Sequence, residues 1–185
     1  MASPAVGPIA HPPECVLPPA AVREEALYER LRALGISWHT HAHPPVFTVE
    51  EARALRGTLP GTHTKNLFLA DKRGGLWLVV AREELSIDLN ALSRQIGAPR
   101  FSFAKSKTMA AALGVAPGAV TPFALMNDDE HRVTAILDEG MLHNDPLNFH
   151  PLRNDRTSAI ASADLVRFLR SSGHEPLIAT LPEKP

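Results

Sequence analysis

Asn66-Leu67-Phe68-Leu69-Ala70-Asp71-Lys72-Arg73-Gly74-Gly75-Leu76-Trp77-Leu78-Val79-Val80-Ala81 is the stretch on which the fold turns. Its two arms are apolar at successive rather than alternate positions, as in strands covered on both faces. The link from Asp71 to Gly75 is short, polar and rich in glycine, so the arms read as a hairpin inside a covered sheet or barrel.

Upstream, Val22, Ala26, Leu27, Leu31 and Leu34 recur at helical spacing and Gly35 follows as a stop. Ile36 to His43 alternates with a period near two and ends at Pro44-Pro45, as a strand does. Thr48 and Glu51 stand at capping-box spacing and open a short helix to Gly57, followed by a loop from Thr58 to Thr64. Downstream, Asp88 begins a helix with Leu89, Leu92 and Ile96 that stops at Gly97, and Arg100 to Phe103 is extended. Lys105 to Leu113 is a helix closed by Gly114. Phe123 to Met126 and Arg132 to Leu137 predict a second hairpin around Asn127-Asp128-Asp129-Glu130. Leu147 to Pro151 and Thr157 to Ala161 are strands. Ser162 caps a helix carrying Leu165, Val166, Phe168 and Leu169 up to Gly173, and Pro176 to Leu181 is a last strand. Strands outnumber helices and their spacing is too irregular for βαβ units. The class is α+β, a mixed β-sheet or partial barrel flanked by helices.

A chain of 185 residues is about one domain's worth. Met1 to Pro19 has six prolines and no hydrophobic period, so residues 1–19 read as a loose arm and residues 20–185 as the folded domain. The longest apolar run, Leu76 to Ala81, falls far short of the roughly 20 residues that cross a bilayer, so no membrane association is expected. The proline-dense start with no basic residue before Arg23 is wrong for a signal peptide. Cys15 alone excludes an intrachain disulfide and a four-cysteine zinc site, and the expected compartment is the cytoplasm. Lys plus Arg number 19 against 20 for Asp plus Glu, so any nucleic-acid partner must be met by a local patch. One exists: no acidic residue falls between Asp88 and Asp128, while Arg94, Arg100, Lys105 and Lys107 do.

No phosphate-binding loop, dinucleotide fingerprint, zinc-protease helix or serine-hydrolase elbow is present. His39, His41 and His43 share one strand face, as metal ligands would, but an alternating polar face explains the same pattern and no metal is assigned. What remains is a set of polar residues at strand ends. Lys65 and Asn66 stand where loop becomes apolar strand, and a lysine there either snorkels to solvent or meets an anion. Gly114 to Pro122 holds Gly118 and Pro122 around three small or medium residues; such a loop is ordinary punctuation or a cradle of backbone N–H groups. His150 closes a strand and gains interest only if it faces Lys65.

In this order, Thr62 to Leu69, Gly114 to Leu125 and Asn148 to Thr157 closely resemble the bacterial prolyl-tRNA editing proteins, freestanding relatives of the editing insertion domain of prolyl-tRNA synthetase. The similarity runs from about Ala20 to Leu181. It is strongest to members that remove alanine from tRNA for proline. The resemblance implies a mixed-sheet α+β domain and an aminoacyl-tRNA deacylase without a cofactor. Its implied catalytic set is Lys65, Asn66, Gly118 and His150, with Thr64, Ala119, Val120, Thr121 and Pro122 binding substrate. Its implied partners are the acceptor end of tRNA for proline carrying a wrong amino acid and, transiently, prolyl-tRNA synthetase. Arg94, Arg100, Lys105 and Lys107 are the candidates for tRNA backbone contact.

The chemistry suits such residues. An aminoacyl ester is already activated, so its hydrolysis needs a placed water and a stabilised oxyanion more than a protein nucleophile. In the family the free 2'-hydroxyl of the terminal adenosine is thought to help orient water. At the ordinary lysine pKa of about 10.4, Lys65 stays protonated, which suits substrate positioning rather than general base catalysis. A pocket built for proline rejects alanine only weakly, since each methylene is worth roughly 1–3 kcal/mol, so a second, smaller sieve is needed. Two other readings stay open: cysteinyl-tRNA for proline as substrate, and a tRNA-binding module of the same fold without turnover.

Overall fold

The computed structural model describes residues 17–45 and 59–184. The helix expected from Thr48 to Gly57, Cys15 and most of the expected arm lie outside the described residues.

Chain order follows from local signals. Helix α1, Ala20–Ala33, buries Glu24, Leu27 and Leu31 on one stripe and ends where Gly35 takes φ +63°. Strand β1 is His39–Ala42, β2 is Thr62–Asp71 and β3 is Leu76–Arg82. Helix α2, Leu89–Gln95, is capped by Asp88, whose carboxylate accepts from the Asn90 and Ala91 amides at 2.9 Å each. Strand β4, Phe101–Phe103, leads to helix α3, Ser106–Leu113, which Gly114 ends in the left-handed region. Strands β5 (Val133–Asp138), β6 (Leu147–Phe149) and β7 (Arg156–Ile160) precede helix α4, Ser162–Ser171, and strand β8, Leu177–Ala179.

The eight strands form one mixed sheet in the order β1-β7-β6-β2-β3-β5-β8, with β4 also on β2. The hairpin expected from the sequence is present: β2 and β3 pair antiparallel from Thr64 opposite Arg82 to Ala70 opposite Leu76. The other edge of β2 changes partner along its length. Thr62 and His63 pair with Leu147 and Asn148 of β6, whereas Leu69 to Asp71 pair with β4. Between them, Thr64 to Phe68 run past a split in the sheet, where the Ala104 amide donates to the Phe68 carbonyl.

Because side chains alternate along a strand, β2 and β3 feed two cores. Phe68, Leu78 and Val80 join the larger one with α1, α3 and α4, which includes Phe123, Phe149 and Phe168. Leu69, Val79 and Ala81 join the smaller one, beneath α2, with Leu92, Phe101 and Leu181.

Three expectations need correction. Phe123 to Met126 is not a strand: Pro122–Asn127 is a 3-10 helix, with Pro122 in its first turn and Thr121 Oγ1 accepting from the Phe123 amide at 3.4 Å. A short run buried on every side reads alike as strand or helix, and proline, with φ preset and no N–H, favours the helical start. The second hairpin therefore does not exist; β5 lies parallel to both β3 and β8. Ser162 is the first residue of α4 rather than its cap, and its amide donates to the Asp145 carboxylate at 2.6 Å. The expected loop before Thr64 is already strand from Thr62.

Candidate active site

The split in the sheet gathers the polar residues. Alternation along β2 turns Thr64 and Asn66 toward the larger core, and Lys65 and Leu67 toward the smaller. The Thr64 hydroxyl donates to the Asn148 carbonyl at 2.7 Å, fastening β2 to β6. Asn148, 4% exposed, uses its side-chain amide on the Pro60 carbonyl at 3.0 Å. These two strands, with β7, bound a recess of about 20 Å³ that touches Thr64, Asn66, Asn148, His150 and Thr157.

Asn66 is the informative residue there. Its Nδ2 donates across the split to the Val120 carbonyl at 3.1 Å, which ties it to the glycine-proline loop. Its Oδ1 is buried and, among the described residues, accepts no hydrogen bond. A buried amide oxygen left in that state costs about 1–3 kcal/mol, so the site is poised for an N–H or O–H donor.

His150 is fixed as a ring. Its Nδ1 lies 2.9 Å from the Arg156 carbonyl, an oxygen that can only accept, so Nδ1 carries the hydrogen and Nε2 is the acceptor of the neutral ring. The turn that carries it, between β6 and β7, is clamped to α1. Buried Glu24 accepts from Arg153 at 2.9 Å and meets Arg156 at 3.3 Å, and Arg153 also grips Asp155. That grip holds the Asp155 carboxyl below its ordinary range and the Arg153 guanidinium above its own. Beside His150, His43 Nε2 and Thr157 Oγ1 share a hydrogen bond of 3.0 Å, and the His43 and His150 rings lie 6.2 Å apart. His39 and His41 meet edge to face at 4.4 Å.

Lys65 does not join this group. Its ammonium donates to the Leu85 carbonyl and lines a separate cavity of about 440 Å³ on the smaller-core face. Gly118, at φ +85°, turns the loop, but the Ala119 amide is already bonded to the Ala116 carbonyl at 3.1 Å. Ala119, with Ala116 and Pro117, borders a third cavity of about 280 Å³ beside Arg23 and Arg153. Within this loop Val120 meets Asn66, while Thr121 and Pro122 are buried and start the 3-10 helix. Thus Thr64, Asn66, Val120 and His150 converge, and Lys65 and Gly118 stand apart from them. Sequence reading missed Asn148 and Thr157. Asn148 is the opening residue of the Asn148 to Thr157 motif, and the strand partnership of β6 with β2 is what brings it in.

Of the basic quartet, Arg94 closes α2 and is exposed, Arg100 lines the Lys65 cavity, and Lys105 and Lys107 are exposed at the start of α3. Cations at a helix N-terminus oppose its dipole, so these two lysines do not stabilise α3. Among the described residues no helix is long and apolar enough to cross a membrane.

Comparison with known proteins bears on the same elements. A profile of the aminoacyl-tRNA editing domain matches residues 43–168. The chain is 41% identical over 162 residues to the prolyl-tRNA synthetase associated domain-containing protein 1 of Danio rerio, covering 86% of this chain and 88% of that protein. It is 31% identical over 152 residues to the prolyl-tRNA editing protein ProX of Acetoanaerobium sticklandii, covering 82% of this chain and 93% of that one. Relatives therefore include animal as well as bacterial proteins. Among solved structures, a candidate trans-editing enzyme for prolyl tRNA synthetase superposes with a TM-score of 0.68 at 22% identity, over 91% of this chain and all of that one. At that identity the likeness speaks for the fold alone.

Proposed function

This chain belongs to the aminoacyl-tRNA editing domain family, and from that premise we propose that it hydrolyses the ester of mischarged tRNA for proline, with alanyl-tRNA as the substrate. The observation that carries the reading is the buried Oδ1 of Asn66 beside a recess of about 20 Å³. An acceptor so placed suits the α-ammonium of an aminoacyl group. A recess with room for about one water-sized group suits a methyl side chain and not a proline ring. Water attacks the ester carbonyl carbon, the bond to the terminal ribose oxygen breaks, and that oxygen takes a proton as free alanine leaves. His150, its ring held through Nδ1 by the Arg156 carbonyl, borders the recess and orients the water. Lys65, from the other face of β2, holds the tRNA end rather than the reacting carbonyl. Lys105 and Lys107 supply backbone contact, and prolyl-tRNA synthetase is the source of the mischarged substrate.

The test is a panel of tRNAs for proline charged with alanine, cysteine, serine or proline. Alanyl-tRNA should be deacylated fastest, and Asn66→Ala should lower kcat by roughly a hundredfold. Faster cysteinyl hydrolysis would move the substrate assignment, and no hydrolysis of any member would leave a binding module.

A further inference from the structure

Side-chain oxygens of Asn66, Thr64 and Thr157 border the recess, and their hydrogen bonds leave all of them as acceptors. Asn66 Oδ1 is buried and, among the described residues, accepts no hydrogen bond. Thr64 Oγ1 has spent its hydrogen on the Asn148 carbonyl at 2.7 Å, so toward any further group it can only accept. The state of Thr157 Oγ1 is fixed from behind. It stands 3.0 Å from His43 Nε2, and His43 Nδ1 stands 2.8 Å from the Pro44 carbonyl. That carbonyl has no hydrogen to give, so the ring hydrogen is on Nδ1 and Nε2 of the neutral imidazole offers a lone pair. The Thr157 hydroxyl therefore spends its hydrogen on His43 and keeps a lone pair free. His43 is itself fastened: its amide donates to the Asp155 carbonyl at 2.9 Å, and β1 sets His41 opposite Thr157.

Oxygens with no hydrogen left to give disfavour another acceptor and suit a group that carries several N–H bonds, as a primary ammonium does. We propose that Thr157 is a specificity-determining residue for the free α-ammonium of the aminoacyl ester, which it holds together with Asn66 Oδ1. His43 does not line the recess and acts through Thr157, as the positioning residue that keeps the hydroxyl in its accepting orientation. The proposal rests on the reading of the chain as an aminoacyl-tRNA deacylase and deepens it, from the size of the amino-acid side chain to the chemistry of its amino group. A lactyl group, with a hydroxyl where alanine has its ammonium, is nearly the same size but brings a single donor and no charge. It leaves acceptors of the recess unpaired, and a site built to meet N–H groups rejects such an analogue far more strongly than it would a missing methylene.

Binding can be measured without turnover. The full chain is titrated with tRNA for proline whose terminal adenosine carries either an alanyl or a lactyl group through a non-hydrolysable 3'-amide. Wild type should bind the alanyl form about a hundredfold more tightly, the order expected of hydrogen bonds to a charged group. Thr157→Val, which keeps the shape and removes the hydroxyl, should cut that ratio about tenfold, whereas Thr157→Ser should retain it. His43→Ala should cut the ratio as well, and His43→Gln, whose side-chain oxygen can take the hydroxyl hydrogen, should restore part of it. A merely structural loss would weaken both forms equally and leave the ratio untouched. No preference in wild type, or a ratio unchanged in Thr157→Val, overturns the assignment even if alanyl-tRNA is deacylated. A ratio lost in Thr157→Val but unchanged in His43→Ala overturns the role of His43. A preference that needs both residues in a protein hydrolysing no charged tRNA keeps the ammonium site and removes the deacylase reading.

Discussion

Asn66 and Lys65 differ by one position and serve opposite faces. Their tasks should separate in kinetics: Asn66→Ala lowers kcat, whereas Lys65→Ala raises KM for charged tRNA several-fold with the smaller effect on kcat. Equal losses in both parameters for both variants would show that the two side chains act on the same group. A strand's alternation makes their divergence legible in Thr62 to Leu69, but not which face meets the larger core, because that depends on helices far away in sequence. Gly61 is a second residue with a definite task. At φ +101° it lies so close to β6 that a Cβ would stand 2.5 Å from the Pro146 carbonyl oxygen. That oxygen accepts the Thr62 amide at 2.8 Å, the first bond joining β2 to β6. Gly61→Ala should therefore destabilise by more than about 1 kcal/mol, read as a fall in Tm of several degrees, and should widen the recess.

Among the elements, the stretch before β5 shows best what sequence could and could not reveal. Helices α1, α2 and α3 and the β2–β3 hairpin follow from period, caps and glycine stops within their own residues. Phe123 to Met126 has its cap and start in Thr121 and Pro122, but its apolar run reads equally as a strand, and the parallel pairing of β5 with β3 and β8 is set by contacts distant in sequence. The lock on this region is Asp128, which is 1% exposed and joins the start of β5 to the end of α4. It accepts from the Val133 amide at 2.8 Å and faces His174 at 3.2 Å. Burial alone would raise its carboxyl pKa, but the bonds from Val133, His174 and Arg132 outweigh it and leave the group below its ordinary 3.8. A depressed carboxylate contributes stability that is present above the unfolded pKa and is lost as pH falls through the folded one. Urea unfolding should accordingly show stability steady near neutrality and falling below about pH 4. Asp128→Asn should lower stability at pH 7 by about 1–3 kcal/mol and flatten that acid limb.

Across the whole molecule, near-zero net charge coexists with a directed distribution. The acid-free interval brings Arg100 to the cavity on the smaller-core face and Lys105 and Lys107 to the exposed start of α3, while Asn66 and His150 meet at the recess between β2, β6 and β7. On the proposed reading, one side of the sheet grips and the other reacts. Neutralising Lys105 and Lys107 together should reduce tRNA affinity about equally for every tRNA tested and lessen its salt dependence, with kcat for bound substrate unchanged.

The ten residues of β2 belong to both halves of the sheet and to both cores. A strand shared in that way has no private route of opening: freeing it dismantles everything around it. Amide hydrogens from Leu67 to Leu69 should therefore exchange with deuterium only through global unfolding, with protection equal to the full stability of the chain. Loss of activity in denaturant should trace the same curve as loss of structure, and a catalytically dead but folded intermediate should never accumulate.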